Sequence, residues 1–300
     1  MSPDAVPGGA PTVAGPPALT PPPGAVRATP LAVLGGAWFA LAPILLAGLV
    51  GLPVVGLLTR VPPAALLARL GDGAVRDALA LSLVTGLAAT ALVVALGLPV
   101  AWLLARGRMP GGRGVEALVL LPMVMPPTVA GFALLMAFGR AGLAGRALAV
   151  AGLSLPFTTA ATVLAQAFMS APFFILAARA GFAAVDPRLL DAAASLGAGE
   201  LGLFARVALP LSHRALLAGA AMCAARALGE FGATITFAGN LRGVTQTMPL
   251  AVYVAMQSDL DTAALLSVLL LVMALLLLLG LGAAARSGVF GGLDADGRRR

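Results

Sequence analysis

Lysine is missing from this 300-residue sequence, and all nineteen basic residues are arginine. A Walker A loop needs a lysine that reaches the phosphates of ATP, so the chain holds no ordinary P-loop. If ATP drives this protein, the ATPase is therefore a separate polypeptide.

Cysteine and histidine each occur once, as Cys223 and His213. A single cysteine excludes a disulfide within the chain, and the two residues are too few for a tetrahedral Cys/His zinc site. A Ser-His-Asp triad would have to use His213, which Arg214 follows at the predicted edge of the membrane. We expect no metal site, no bound cofactor and no triad, and we interpret Cys223 as a packing residue of an apolar helix.

Charged residues make up only 10% of the chain, whereas 60% is hydrophobic and the mean hydropathy is +1.01. This composition is typical of a polytopic membrane protein. The apolar runs are continuous rather than alternating, which predicts an all-α protein. Six runs are long enough to cross about 30 Å of hydrocarbon as helices. These predicted transmembrane helices lie near 31–58, 78–105, 115–138, 157–182, 214–238 and 262–284.

The two ends of the chain differ from its apolar body. Residues 1–30 hold nine of the 23 prolines and lack the basic start of a signal peptide, so they predict a disordered tail. The transmembrane domain is expected at 31–284, and a short basic tail at 285–300.

The arginines indicate the orientation. If the N-terminus is inside, twelve arginines lie in internal segments, six in external segments and one within a span. The positive-inside rule then predicts that both termini and the segment 183–213 are cytoplasmic. Because the arginines are scattered over short loops, the net charge of +7 indicates topology and membrane lipid rather than a nucleic-acid partner.

The segment 183–213 interrupts the apolar runs with a polar, helix-prone stretch. Asp186 followed by Pro187 predicts an N-cap and the first helical position. Gly197 predicts the left-handed residue that ends this helix. A second short helix is expected from Gly199 to Leu209, where Pro210 would stop it. Gly197 to Gly202 also match G-x-G-x-x-G, but no βαβ unit surrounds them, so dinucleotide binding is not expected.

The order of residues in this segment resembles the cytoplasmic EAA loop of ABC importer permeases. Two positions depart mildly from the usual motif: Asp191 replaces a glutamate, and Val207 replaces an isoleucine. The residues aligned with the motif are Asp191, Ala192, Ala193, Gly197, Val207, Leu209 and Pro210. Further segments are similar to the molybdate permease subunit, within the molybdate/sulfate branch of that family. They are 97–102, 121–131, 226–240 and 248–253, and the likeness covers roughly residues 75–282.

This resemblance implies the type I importer permease fold, with two copies of the chain forming one pathway in the bacterial inner membrane. It implies that 183–213 is a coupling loop docked on an ATP-binding cassette ATPase dimer, and that an extracytoplasmic molybdate-binding protein contacts segment 241–261. The permease would move molybdate by alternating access and would make or break no covalent bond. The alternatives are a sulfate, thiosulfate or tungstate permease, an ion-coupled carrier that uses Glu230, and a membrane-embedded enzyme.

Ionisable groups inside the membrane give the first pathway candidates. Arg226 and Glu230 are four residues apart in the fifth predicted span, so on one helix they would share a face and pair. They would either line the pathway or form a structural or gating pair, and we favour the second role because Glu230 cancels the charge of Arg226.

The remaining pathway candidates are small, hydroxyl-bearing or helix-breaking residues. Thr234, Thr236 and Asn240 could bind an oxyanion or serve helix packing. Pro126 and Pro127 should interrupt the third span, either as part of a gate or as an inert kink.

Overall fold

The computed structural model describes residues 30–286, with side chains for most of 38–283. Predictions for residues 1–29 and 287–300 fall outside that range. The chain divides into two units, one ending at Val54 and one starting at Val55. In chain order the helices are α1 Pro30–Thr59, α2 Pro63–Arg69, α3 Gly73–Ala105, α4 Gly112–Val124, α5 Pro127–Phe138, α6 Gly145–Val150, α7 Thr159–Ala183, α8 Pro187–Ser195, α9 Glu200–Gly202, a π-helix Leu203–Ala208, α10 Leu209–Leu228, α11 Gly232–Phe237, α12 Met248–Met256 and α13 Leu260–Arg286.

The all-α prediction is confirmed for the described residues, and each of the six predicted spans has a helical counterpart. Five helical stretches are long and apolar enough to cross a membrane: Leu41–Thr59, Gly73–Ala105, Thr159–Ala183, Glu200–Leu228 and Leu260–Ala283. The third predicted span instead consists of two helices, α4 and α5, the second of which is a shorter apolar helix. In α1 the helix continues through Pro43 and Pro53.

The fifth predicted span is not one continuous helix. α10 ends at Leu228, and α11 begins only at Gly232. In an unbroken helix the N–H of Ala233 would bond the carbonyl of Gly229. Here it donates to the Glu230 carboxylate at 2.8 Å instead. The prediction missed the break because a side chain takes over the role of a backbone carbonyl.

Pro210 does not stop the helix that precedes it, contrary to the prediction. The stretch from Glu200 to Leu228 continues through the π-helix into α10, with Pro210 in the first turn of α10. In a regular helix the proline ring would meet the carbonyl four residues earlier. The wider π turn just before it moves the backbone away from the ring.

Three helices form the central packing layer. Contacts pair Trp102 of α3 with Phe182 of α7, and Ser212 of α10 with the carbonyl of Gly181. The sulfur of Cys223 lies 3.3 Å from the Ser170 hydroxyl oxygen, towards the other end of α10. A methyl group on Gly97 of α3 would also meet the Ile175 side chain of α7, so α3 runs parallel to α7 and α10 runs antiparallel to it. Cys223 is fully buried in this layer, which confirms its interpretation as a packing residue.

A second cluster joins α2 and the start of α3 to α12 and α13. The backbone N–H of Met248, at the start of α12, donates to the Ser82 hydroxyl at 2.7 Å. Asp259 precedes α13, and hydrogen bonds from the Thr262 hydroxyl and the Asp261 N–H hold the pKa of its carboxyl below the ordinary value. The bond between Met248 and Ser82 holds the start of α12 against α3.

The third cluster packs α5 and α11 against the first half of α7. α5 and α11 approach so closely that only glycine fits at position 131. A methyl group on Gly131 would lie 2.7 Å from the carbonyl oxygen of Ala233 and 2.8 Å from its α-carbon. The close approach therefore depends on the missing side chain.

We predict that Gly131→Ala destabilises the protein by about 1–3 kcal/mol, because the added methyl group overpacks against backbone that cannot rotate away. The measurement is the midpoint of thermal unfolding in detergent. The control is Gly114→Ala in α4, where a methyl group meets no atom within 4 Å. Equal midpoints for the two variants would contradict the tight α5–α11 contact.

Candidate functional site

The first limb of the polar segment is α8, and its ends are formed as predicted. The Asp186 carboxylate accepts the backbone N–H of Arg188 at 2.9 Å, and Pro187 takes the first helical position. Leu190 is the one buried side chain of α8. Asp191 and Ala192 are exposed, as a docking surface requires.

Gly197 ends this limb in the left-handed conformation, with φ = 87°, which confirms the prediction. Its N–H donates to the carbonyl of Ala194 at 2.9 Å, and the next N–H, of Ala198, donates to Ala193 at 3.0 Å. This pair of bonds is a Schellman motif, which needs a residue that tolerates positive φ. We call residues 186–202, which comprise α8, the turn at Gly197 and α9, the elbow.

Three aromatic side chains, each from a different element, pack together beside the elbow. The Trp102 ring lies 5.5 Å from the Phe182 ring and 5.8 Å from the Phe204 ring, centroid to centroid. The rings of Phe182 and Phe204 are 5.9 Å apart. These rings join the last turn of α3, the end of α7 and the π-helix that follows the elbow.

Glu200, the first residue of α9, adds polar contacts that the sequence analysis missed. Its Oε1 accepts the indole N–H of Trp102 at 2.9 Å, and its Oε2 pairs with Nη1 of Arg108. The sequence carried one signal for this contact: a tryptophan in an apolar span needs an acceptor for its N–H. The partner lies 98 positions away, so local spacing could not identify it.

The interruption predicted in the third span is present. α4 ends at Val124, Met125 is extended, and Pro126 is the N-cap of α5, whose first residue is Pro127. Pro127 brings no N–H to an N-terminus where that group would have no helical partner.

The break in the fifth span brings Arg226 and Glu230 together, as predicted, although they do not lie on one helix. Arg226 is in the last turn of α10, and its Nη1 lies 2.6 Å from Oε2 of Glu230. The Glu230 side chain is only 1% exposed, and its second oxygen accepts from Ala233 at the start of α11. The cation thus sits at a helix C-terminus and the anion at a helix N-terminus, where each helix dipole favours that charge.

The two breaks lie side by side. A methyl group on Gly232 would come within 2.6 Å of Cβ of Pro127. Next to them is a cavity of about 190 Å³, in which Arg226 is the one charged lining residue among the described part of the chain; the others are Pro122, Met123, Met125, Pro127, Met169 and Phe173. The structure therefore gathers Arg226 and Pro127 at one cavity between the interrupted spans.

The other pathway candidates do not line that cavity. Thr234 is fully buried, and its hydroxyl has no hydrogen-bond partner among the described residues. Thr236 donates its hydroxyl to the carbonyl of Gly232 at 2.8 Å within α11. The side-chain oxygen of Asn240 is also buried without a partner in the described part of the chain. For metals, no group of three His, Cys, Asp or Glu within residues 30–286 could hold an ion.

The family model for the inner membrane component of binding-protein-dependent transport systems matches residues 94–286. The chain belongs to this family. The molybdenum transport system permease protein ModB of Mycobacterium tuberculosis is 44% identical to this permease over 239 residues, which are 80% of this chain and 90% of that protein. ModB of Escherichia coli K12 is 39% identical over 183 residues, covering 61% of this chain and 80% of the relative.

Two solved structures share the fold. A bacterial ABC transporter involved in the import of the acidic polysaccharide alginate superposes with a TM-score of 0.65 and 15% identity, covering 86% of this chain and 96% of its own. The MetNI methionine ABC transporter, in an inward-facing conformation, gives a TM-score of 0.54 with 19% identity over 71% and 93% of the two chains. These likenesses confirm the predicted importer permease fold.

The Arg226–Glu230 pair generates a stability prediction. Glu230→Ala leaves a partly buried cation and the Ala233 N–H without their partner, so we expect a loss of about 3 kcal/mol. Glu230→Gln keeps an acceptor for that N–H, so its loss should be smaller. Thermal unfolding in detergent measures both.

Asp72 provides the matched control for this prediction. Its carboxylate likewise accepts from a helix N-terminus, at Ala74, and faces an arginine, Arg69, at 3.6 Å, but its side chain is 40% exposed. Asp72→Ala should therefore cost only about 1 kcal/mol. Similar losses for Asp72→Ala and Glu230→Ala would show that burial of the Glu230 pair contributes nothing.

Proposed function

We propose that this permease is the membrane subunit of an ATP-driven importer that moves molybdate inward by alternating access. The elbow is the observation that carries the mechanism. Its first limb is a short capped helix with one buried side chain, and its second limb continues into the long apolar stretch Glu200–Leu228. Such a helix can seat in a groove of a partner protein and transmit the partner's movement as a rigid body.

The exposed side of the elbow fits a protein partner. Leu196 is 90% exposed and Leu201 is 78% exposed, and they flank the turn at Gly197. Apolar side chains on both limbs of one turn favour a contact with another protein. We propose that an ATP-binding cassette ATPase dimer docks there, through Asp191, Ala192 and Ala193. The excess of arginine in 183–213 and in the other segments assigned to the inside supports a cytoplasmic elbow.

The paired breaks support a gate. Two interrupted spans meet at the cavity that Arg226 lines, and irregular backbone at membrane depth is tolerated where it is enclosed by protein or lines a pathway. We propose that a second copy of the permease completes this pathway. An extracytoplasmic binding protein would deliver the oxyanion to the end of the bundle formed by 241–261.

Molybdate as the substrate rests on the relatives. The chain covers 90% of the length of the M. tuberculosis ModB at 44% identity. Residues 94–286, which match the family model, contain the elbow, both breaks and α12. The same framework could serve another tetrahedral oxyanion, so uptake must be measured with sulfate beside molybdate.

The test is uptake of labelled molybdate and labelled sulfate in cells that lack their own carriers, with the permease expressed beside its ATPase and binding protein. Gly197→Pro should abolish uptake, because proline cannot adopt φ = 87° and removes the N–H that bonds Ala194. Gly199→Ala is the control, since Gly199 has φ = −72° and a methyl group there meets no atom within 4 Å.

Molybdate uptake that sulfate does not compete away, present in the Gly199→Ala variant and lost in the Gly197→Pro variant, is the expected result. Sulfate uptake alone would overturn the substrate. Uptake without the ATPase would overturn the role of the elbow.

A further inference from the structure

Glu200 is held at both carboxylate oxygens by residues outside the elbow. Oε1 accepts from Trp102 in the last turn of α3, and Oε2 pairs with Arg108 in the loop between α3 and α4. One carboxylate thus joins three consecutive parts of the chain to the elbow: the end of α3, the loop after it and, through that loop, α4. We call the side chains of Trp102, Arg108 and Glu200 together the Glu200 clamp.

Stability is a poor explanation for the clamp. The side chains of Arg108 and Glu200 are 57% and 41% exposed, and exposed ion pairs contribute about 0–1 kcal/mol. The indole N–H of Trp102 does need an acceptor, because the residue is only 4% exposed. Water or a backbone carbonyl could satisfy that N–H equally well. The Glu200 carboxylate satisfies it and also fixes the position of the elbow relative to Trp102.

The clamp is the second of two attachments. One turn after Glu200, the Phe204 ring packs against Trp102 and Phe182. A limb attached at one point can pivot about it, whereas a limb attached at two points a turn apart must rotate with its support. The first limb packs on the same core through Leu190 and Ala193, but it has no ionic contact with α3 among the described residues.

We propose that Glu200 is a positioning residue that makes the elbow and the end of α3 move as one body during transport. A displacement imposed on the elbow then reaches the α3–α4 loop, and through α4 the break at Met125 and Pro126. This inference rests on the proposed function, because it assumes that a partner moves the elbow. Without the clamp the elbow would turn about the aromatic contact, and ATP would be spent without opening the pathway.

The first test measures the ratio of molybdate imported to ATP hydrolysed, in proteoliposomes that contain the permease, its ATPase and its binding protein. Glu200→Leu removes both contacts and should lower the ratio about fivefold or more, the lower end of measured couplings between sites. Arg108→Gln should lower it less, and Arg108→Lys, which keeps the charge, should restore it. Co-purification with the ATPase establishes that each variant is assembled.

Glu116→Gln is the matched control. Glu116 pairs with Arg179 and links α4 to α7, with side-chain exposures of 37% and 34%, and both residues lie outside the elbow. Its ratio should equal that of the wild type. If transport and hydrolysis fall together in Glu200→Leu, so that the ratio is unchanged, Glu200 is merely structural and the proposal is wrong.

A second measurement is independent of the substrate. Spin labels at Arg188→Cys and Arg113→Cys, both exposed positions outside the proposed docking residues, report the distance between the elbow and the start of α4. Labelling is selective because Cys223 is the one native cysteine and is buried. The distance should not change on adding ATP to the assembled complex, and it should change or broaden in Glu200→Leu.

The two measurements separate the possible failures. An unchanged distance in Glu200→Leu would overturn the clamp even if molybdate is carried. A wild-type complex that carries sulfate and not molybdate would overturn the substrate. In that case the ratio for sulfate and the label distance still test the clamp.

Discussion

Backbone hydrogen bonding without water is the constraint on which this structure depends. Inside hydrocarbon every N–H and C=O needs a partner in the protein, so a spanning helix can be interrupted only where something replaces the lost bonds. Both interruptions obey this rule. At the first, Pro127 has no N–H to satisfy. At the second, Glu230 supplies the acceptor for the Ala233 N–H, and Arg226 balances its charge. Pro127 and Glu230 thus each account for one backbone group at the start of a helix that would otherwise lack a partner.

The short lengths of α5 and α11 explain why the two breaks lie together. Each break starts a short helix, α5 or α11, that is too short to span a membrane alone and must pack against a neighbour. The two pack on each other through Gly131 and Gly232, where a side chain would strike backbone or proline. α5 and α11 therefore form a pair, and this pair packs against the first half of α7.

Much of the fold follows from local patterns, and the exceptions share one cause. Continuous apolar runs predicted the spans, Asp186 and Gly197 predicted the ends of α8, and Pro126 and Pro127 predicted the first break. Where the predictions failed, a distant or unusual partner changed the local rule: a π turn accommodates Pro210, and a carboxylate replaces a carbonyl at Ala233. The contacts of Glu200 join residues 92 and 98 positions apart, which periodicity cannot reveal. The roles of the site residues remain predictions.

The two ion pairs of the permease, Arg226–Glu230 and Arg108–Glu200, differ in burial and therefore in the stability that they contribute. The Arg226–Glu230 pair includes a carboxylate that is 1% exposed, so breaking it would leave a charge without solvent, at about 3–5 kcal/mol. The side chains of the Arg108–Glu200 pair are 57% and 41% exposed, and such a pair contributes about 0–1 kcal/mol to stability. The elbow needs only correct placement, since the aromatic packing of Trp102, Phe182 and Phe204 supplies the cohesion. The buried pair thus stabilises the break, whereas the exposed pair contributes little stability, which agrees with the positioning role that we propose for Glu200.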